Sequence, residues 1–165
     1  MCIENNDKDT AQKLIHSYVD SVEATTVTKY CSNPTINYIL SSFNAQCLAQ
    51  NISFVCQINL DTVSCDEIML STILSNALDN ALNAQKKLPA AERQIHLLLK
   101  NHCDKLLLSI KNSYGEEPVF QDGLPVSTQK NHGYGTKSIV YLTQKMGGNC
   151  QFKVQNGQFI FQLII

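Results

Sequence analysis

The sequence has no tryptophan and little charge. Only 16% of its 165 residues are Asp, Glu, Lys or Arg, and they nearly cancel to a formal net charge of −1. Without a basic excess, or a basic run interleaved with aromatics, it has no electrostatic footprint for nucleic acid. No stretch approaches the ~18 consecutive apolar residues of a membrane-spanning helix. The segment Met1 to Lys8 is polar and mixed in charge, and lacks the basic start and apolar run of a signal peptide. Seven cysteines (Cys2, Cys31, Cys47, Cys56, Cys65, Cys103 and Cys150) are scattered, odd in number and without a Cys-x-x-Cys pair. That pattern speaks against a zinc site or a disulfide framework, and reduced thiols in a cytosolic protein are expected.

At 44% hydrophobic, the chain can bury the core of one compact domain with one extra helix. A first helix is expected over Thr10 to Thr25, capped by Asp9, with Leu14, Ile15, Tyr18, Val19 and Val22 at helical spacing. Asn33-Pro34 opens a second helix running to about Gln50, with Pro34 at its first position. Ile52 to Leu60 alternates like a strand. A third helix spans about Cys65 to Lys86, capped by Ser64 or Asp66. Gln94 to Leu99 and Lys105 to Ile110 read as strands around a turn, and Asn112 to Asn131 as a long loop of the kind that often carries function. A fourth helix is expected from Gly135 to Met146, ended by Gly147-Gly148. Strands Cys150 to Val154 and Gln158 to Ile165 follow, turning at Asn156-Gly157. This order fits an α+β sandwich with helices gathered on one face of a mixed sheet.

The third helix carries two stripes. Leu70, Ile73, Leu74, Ala77, Leu78 and Ala81 form the packing face. Asn76, Asp79, Asn80 and Asn83 form a second face at the same spacing. Asn and Asp are mediocre helix formers, costing roughly 0.5 kcal/mol each relative to Ala. Such a face is either simply solvated or functional, and its sparse Lys and Glu weigh against plain solvation. Amide oxygens are hard donors suited to a Mg²⁺ that also holds phosphates and waters. A second signal is Asn131-His132-Gly133-Tyr134-Gly135-Thr136-Lys137-Ser138 at the start of the fourth helix. Glycines there let backbone N–H groups approach a phosphate, and Lys130, Lys137 and the hydroxyls add contacts. Read alone, the segment could equally be an ordinary loop. Asn112, at a strand end, is a third candidate.

In combination, these segments resemble the GHKL, or Bergerat, ATP-binding family. Leu74-Ser75-Asn76-Ala77-Leu78-Asp79-Asn80-Ala81 is similar to its N box. Ile110-Lys111-Asn112-Ser113 stands in the place of its G1 box, and His132 to Ile139 is similar to its G2 box. The resemblance extends to sensor histidine kinases of the peptide-quorum-sensing type, through Tyr30-Cys31-Ser32-Asn33-Pro34. It covers roughly Thr28 to Ile165. It implies a two-layer sandwich with a mostly antiparallel sheet, and Mg²⁺ and ATP as ligands. It places Mg²⁺ on Asn80 and Asn76 and the phosphates on Asn83, Gly133 and Gly135, with Lys130, His132 and Thr136 also in the ATP site. Asn112 would pair with adenine, and Asn112 to Asn131 would be the ATP lid. Two features depart from the family: Asn112, Tyr114 and Glu116 stand where the G1 box reads Asp-x-Gly-x-Gly, and Thr136 replaces a Leu.

The resemblance also implies a division of labour. Water-using ATPases of this family carry a Glu one turn before the N-box Asn; here it is Asn76, which is no base. Transfer to a positioned acceptor is therefore expected. None of His16, His96, His102 and His132 stands where the acceptor belongs, so no catalytic residue is assigned in this chain. Residues 1–27 would be the end of a dimerisation and phosphoacceptor hairpin, and 28–165 the catalytic domain. The implied parent is a homodimeric, membrane-bound bacterial sensor that uses a response regulator, with this domain in the cytoplasm. Two other readings stay open: a GHKL serine kinase of the anti-sigma type, and a degenerate GHKL module that binds a partner.

Overall fold

The computed structural model describes residues 28–60, 62–126 and 134–165. The helix expected over residues 10–25, and the hairpin assignment for 1–27, lie outside the described residues. The described chain runs α1 (Pro34–Ala49), β1 (Ser53–Asn59), α2 (Glu67–Gln85), a 3₁₀ turn (Ala90–Glu92), β2 (Gln94–His102), β3 (Lys105–Asn112), β4 (Val119–Gln121), β5 (Leu124–Val126), α3 (Tyr134–Lys145), β6 (Asn149–Gln155) and β7 (Gln158–Ile164). Within these residues no helix is long and apolar enough to cross a membrane.

Local chemistry sets the helix ends. Asn33 caps α1 by accepting the Ile36 N–H at 2.9 Å, and Pro34 occupies the first turn, where no donor is needed. Asp66, not Ser64, caps α2 by accepting the Met69 N–H at 2.9 Å. The two helix starts are tied together: Asn33 Nδ2 donates to Glu67 Oε2 at 2.9 Å, and Thr35 Oγ1 donates to Glu67 Oε1 at 2.5 Å. These hydrogen bonds, that of Thr35 foremost, hold the Glu67 carboxyl below its ordinary pKa. At the end of α3 the chain turns through Gly147, whose φ is +72°. A Cβ at the next residue, Gly148, would lie 2.5 Å from the Ile164 carbonyl oxygen, so only glycine lets the two segments approach.

Five strands form one sheet in the order β1-β2-β3-β7-β6, with β1 and β2 parallel and the other neighbours antiparallel. α2 makes the crossover that the parallel pair requires. One row across the sheet reads Cys56, Leu97, Ile110, Phe161, Phe152, and it faces the helices. The next row, Val55, His96, Lys111, Ile160, Lys153, lies on the opposite face. The α2 stripe Leu70, Ile73, Leu74, Ala77, Leu78 and Ala81 is buried as its spacing predicts. Phe43 of α1 meets Phe54 of β1 edge-on at 5.1 Å. The result is a mixed α+β fold, mostly antiparallel, with the helices on one side.

Most element bounds move by one to three residues from those expected. The larger correction concerns Asn112 to Asn131, which is not wholly loop. A two-stranded hairpin, β4–β5, turns there at Asp122-Gly123, both with positive φ (52° and 76°). An Asp-Gly pair is a hairpin signal, and its three-residue strands, one containing Pro125, are too short to show periodicity.

Candidate functional site

The end of β3, the end of α2, the start of α3 and the β4–β5 hairpin enclose a cleft of about 270 Å³. Asn112 lies at the end of β3, 2% exposed, and lines the cleft. Phe159 of β7, its register partner across the sheet, lines it too, with Phe152 of β6. Phe120 of the hairpin stacks on Phe159 (ring centroids 6.3 Å apart, planes at 19°), so the hairpin is anchored to the sheet by an aromatic contact. Pro118, Val119, Pro125 and Val126 complete an apolar wall. An apolar slot with one buried amide at its base suits a flat, partly polar ring.

The other end of the cleft is polar, lined by Asn80, Asn83 and Thr136. Gly135, in the first turn of α3, packs against α2. A Cβ at Gly135 would sit 3.7 Å from Asn80 Oδ1 and 3.8 Å from Asn76 Oδ1. The bare face of that glycine thus meets the Asn76 oxygen and both atoms of the Asn80 amide, whose Nδ2 is also 3.8 Å away. Among the described residues no three His, Cys, Asp or Glu side chains cluster as metal ligands. Two neutral amide oxygens would not hold a divalent ion alone. They fit a Mg²⁺ that takes most of its ligands from phosphates and water.

Asn80, Asn83, Asn112 and Thr136 thus line one cleft; Asn76 and Gly135 sit beside Asn80 without lining it, and Asp79 points to solvent. Lys130, His132 and Gly133 lie outside the described residues. Asn83 Oδ1 accepts from Lys86 Nζ at 2.7 Å on the exposed side of α2. Of the two residues standing at family glycine positions, Tyr114 is half-buried and lines the cleft. Glu116 pairs with Lys87 at 2.7 Å across its mouth. Both partners are largely exposed, so the pair adds little stability.

Several lining residues were not singled out in the sequence. Lys87 gave no signal. Phe152 and Phe159 could have been found from strand alternation running into the site. Gln85 does not line the cleft, but it had the clearest signal, a polar residue four positions beyond Ala81 on the apolar stripe. It is fully buried, and its amide joins the start of β2 to the end of β3.

A family model described as a GHKL domain matches residues 66–165. No curated protein matches the chain. Among solved structures, the catalytic domain of histidine kinase ThkA is 20% identical over 79% of this chain and 90% of its own, with a TM-score of 0.65. The Acinetobacter baumannii histidine kinase AdeS is 14% identical over 100% of this chain and 85% of its own, with a TM-score of 0.59. The mycobacterial sensor histidine kinase MprB is 18% identical over 79% and 92%, with a TM-score of 0.58. At these identities the likeness is one of fold.

Proposed function

The chain belongs to the GHKL domain family, and from that membership we propose that it binds Mg-ATP in the cleft and serves as the catalytic domain of a sensor histidine kinase. The observation that carries the reading is the polarity of the cleft. One end is apolar, with a buried amide oxygen at its base. The other is polar, lined by Asn80, Asn83 and Thr136, with Gly135 packed beside Asn80. A nucleotide has the same asymmetry, a flat base at one end and a metal-bound polyanion at the other.

In this reading Asn112 Oδ1 accepts from the exocyclic amino group of adenine. Phe152, Phe159 and the hairpin enclose the ring, and Asn83 and Thr136 face the phosphates. Asn80, with Asn76, holds Mg²⁺, which when bound neutralises phosphate charge. Gly133 on the phosphates and His132 in the ATP site follow from the family motif, and Lys130 adds a charge just before it. Asn76 cannot act as a base toward water, so the γ-phosphoryl group passes to a histidine outside residues 28–165. The remaining family traits belong to the same proposal: the quorum-sensing type, residues 1–27 as part of a phosphoacceptor hairpin, a homodimeric membrane-bound parent with this domain in the cytoplasm, and a response regulator as partner.

The test is calorimetric titration of ADP, or a non-hydrolysable ATP analogue, with and without Mg²⁺. Mg-dependent binding that is lost in Asn80→Ala supports the assignment. A folded chain that binds no nucleotide at millimolar concentration moves the reading to a partner-binding module, with Asn112, Tyr114 and Glu116 as the reasons.

A further inference from the structure

Gln85 is the last residue of α2 and is wholly buried. Its partners fix which way its amide faces. The Gln94 N–H donates to Gln85 Oε1 at 2.9 Å, so Nε2 is the atom that reaches the Ser113 carbonyl, to which it donates at 2.7 Å. Asn112 Nδ2 donates to that same carbonyl oxygen, also at 2.7 Å. A carbonyl oxygen accepts two hydrogen bonds, and here both places are filled. One of the two Nδ2 hydrogens is held by the Ser113 carbonyl, which fixes the amide one way round and leaves Oδ1 as the acceptor it can offer the cleft.

An aspartate offers only acceptors, but an asparagine can show either side of its amide. Turned over, Asn112 would offer a donor and would suit a purine with an exocyclic oxygen. That turn would set Oδ1 against the Ser113 carbonyl oxygen, with no proton between them. The cost depends on the carbonyl staying where it is. Gln85 holds it directly, and Ser113 Oγ, donating to the Glu92 carbonyl at 2.8 Å, holds the residue from its other side.

We propose that Gln85 is a positioning residue for base selection: by fixing the Ser113 carbonyl it locks Asn112 as an acceptor, and so favours a purine with an exocyclic amino group over one with an exocyclic oxygen. This rests on the nucleotide reading above.

The experiment titrates Mg-ADP and Mg-IDP into the wild-type chain, Gln85→Met, Asn112→Asp and the double variant. IDP carries an oxygen where ADP carries the amino group. Wild type is expected to favour ADP by about tenfold or more, the worth of one well-placed hydrogen bond plus an avoided clash. Gln85→Met keeps the length of the side chain and removes its hydrogen bonds, so the ADP-to-IDP preference falls severalfold, with IDP binding gaining. In the Asn112→Asp background the same change leaves the preference unaltered, because a carboxylate has no donor to show. If Gln85→Met does not fold, Gln85→Leu removes the same hydrogen bonds with a smaller apolar side chain, with the same loss expected. Equal weakening of both nucleotides marks Gln85 as merely structural and overturns the proposal. Wild type that binds ADP and IDP equally overturns it too, while leaving the nucleotide reading standing. Wild type that binds neither removes both.

Discussion

The bare face of Gly135 looks onto Asn80: a methyl group there would stand 3.7 Å from Asn80 Oδ1, in ordinary contact. Gly135→Ala is therefore tolerated by the fold, and in the first turn of α3 it should leave the melting temperature unchanged or raise it, by up to about 1 kcal/mol of stability. In the proposed nucleotide reading, the same methyl group occupies the space beside Asn76 and Asn80 that a metal-bound phosphate would need. Mg-ADP affinity is expected to fall about tenfold while stability holds. Calorimetry beside a thermal melt separates the two effects.

Phe120 attaches the β4–β5 hairpin to the sheet through Phe159. An aromatic pair of this kind is worth about 0.5–1.5 kcal/mol beyond its buried area. Phe120→Ala should release the hairpin while the five-stranded sheet keeps its stability. The measurement is hydrogen exchange, with faster exchange confined to residues 119–126. Mg-ADP should protect that segment in wild type and protect it less in the variant.

Glu67 ties the starts of α1 and α2 together, and its folded pKa is depressed by hydrogen bonds from Thr35 and Asn33. A depressed carboxyl stabilises the fold above its unfolded pKa and loses that contribution as pH falls through the folded value. Glu67→Gln should therefore melt below wild type at pH 7, and the gap should close as the pH is lowered into the acid range. A gap independent of pH would show that the carboxylate charge plays no part.

Burial pushes the Cys47 and Cys56 thiols up to about 12. Alkylation needs the thiolate, so neither should react in the native protein at pH 8. Cys103 is exposed on the β2–β3 turn and should react first among the described cysteines. Mass spectrometry after brief treatment with iodoacetamide, native and denatured, checks both statements.

Elements with many residues on a clean period could be read directly from the sequence. The α2 stripe, the Asn33-Pro34 start of α1 and the Asn156-Gly157 turn depend on local chemistry that nothing else overrides. The β4–β5 hairpin escaped because three residues are too few to display a period, although Asp122-Gly123 was a legible mark. The site divides in the same way. Asn76, Asn80 and Asn83 stand out because amides in mid-helix run against propensity. Their convergence on Gly135 depends on how α3 packs, which spacing along one chain does not encode. Gln85 is marked in the sequence as a polar residue on the apolar stripe, but what it joins shows only when the ends of β2 and β3 are brought to it.

The crossover helix α2 also sets an order of assembly. Strands β2 and β3, like β6 and β7, meet through turns of a few residues, which close on the microsecond scale. Strand β1 finds β2 only after the long excursion that contains α2, and the entropy of that closure must be met before any of its pairing is gained. Strands β3 and β7 are separated by at least as long a stretch, so the amide-bearing helix and the first strand should join the β2–β3 hairpin rather than a finished sheet. Changes that weaken the packing of Leu74 or Leu78 would then act mainly by speeding unfolding, and the cleft would be among the last parts of the molecule to exist.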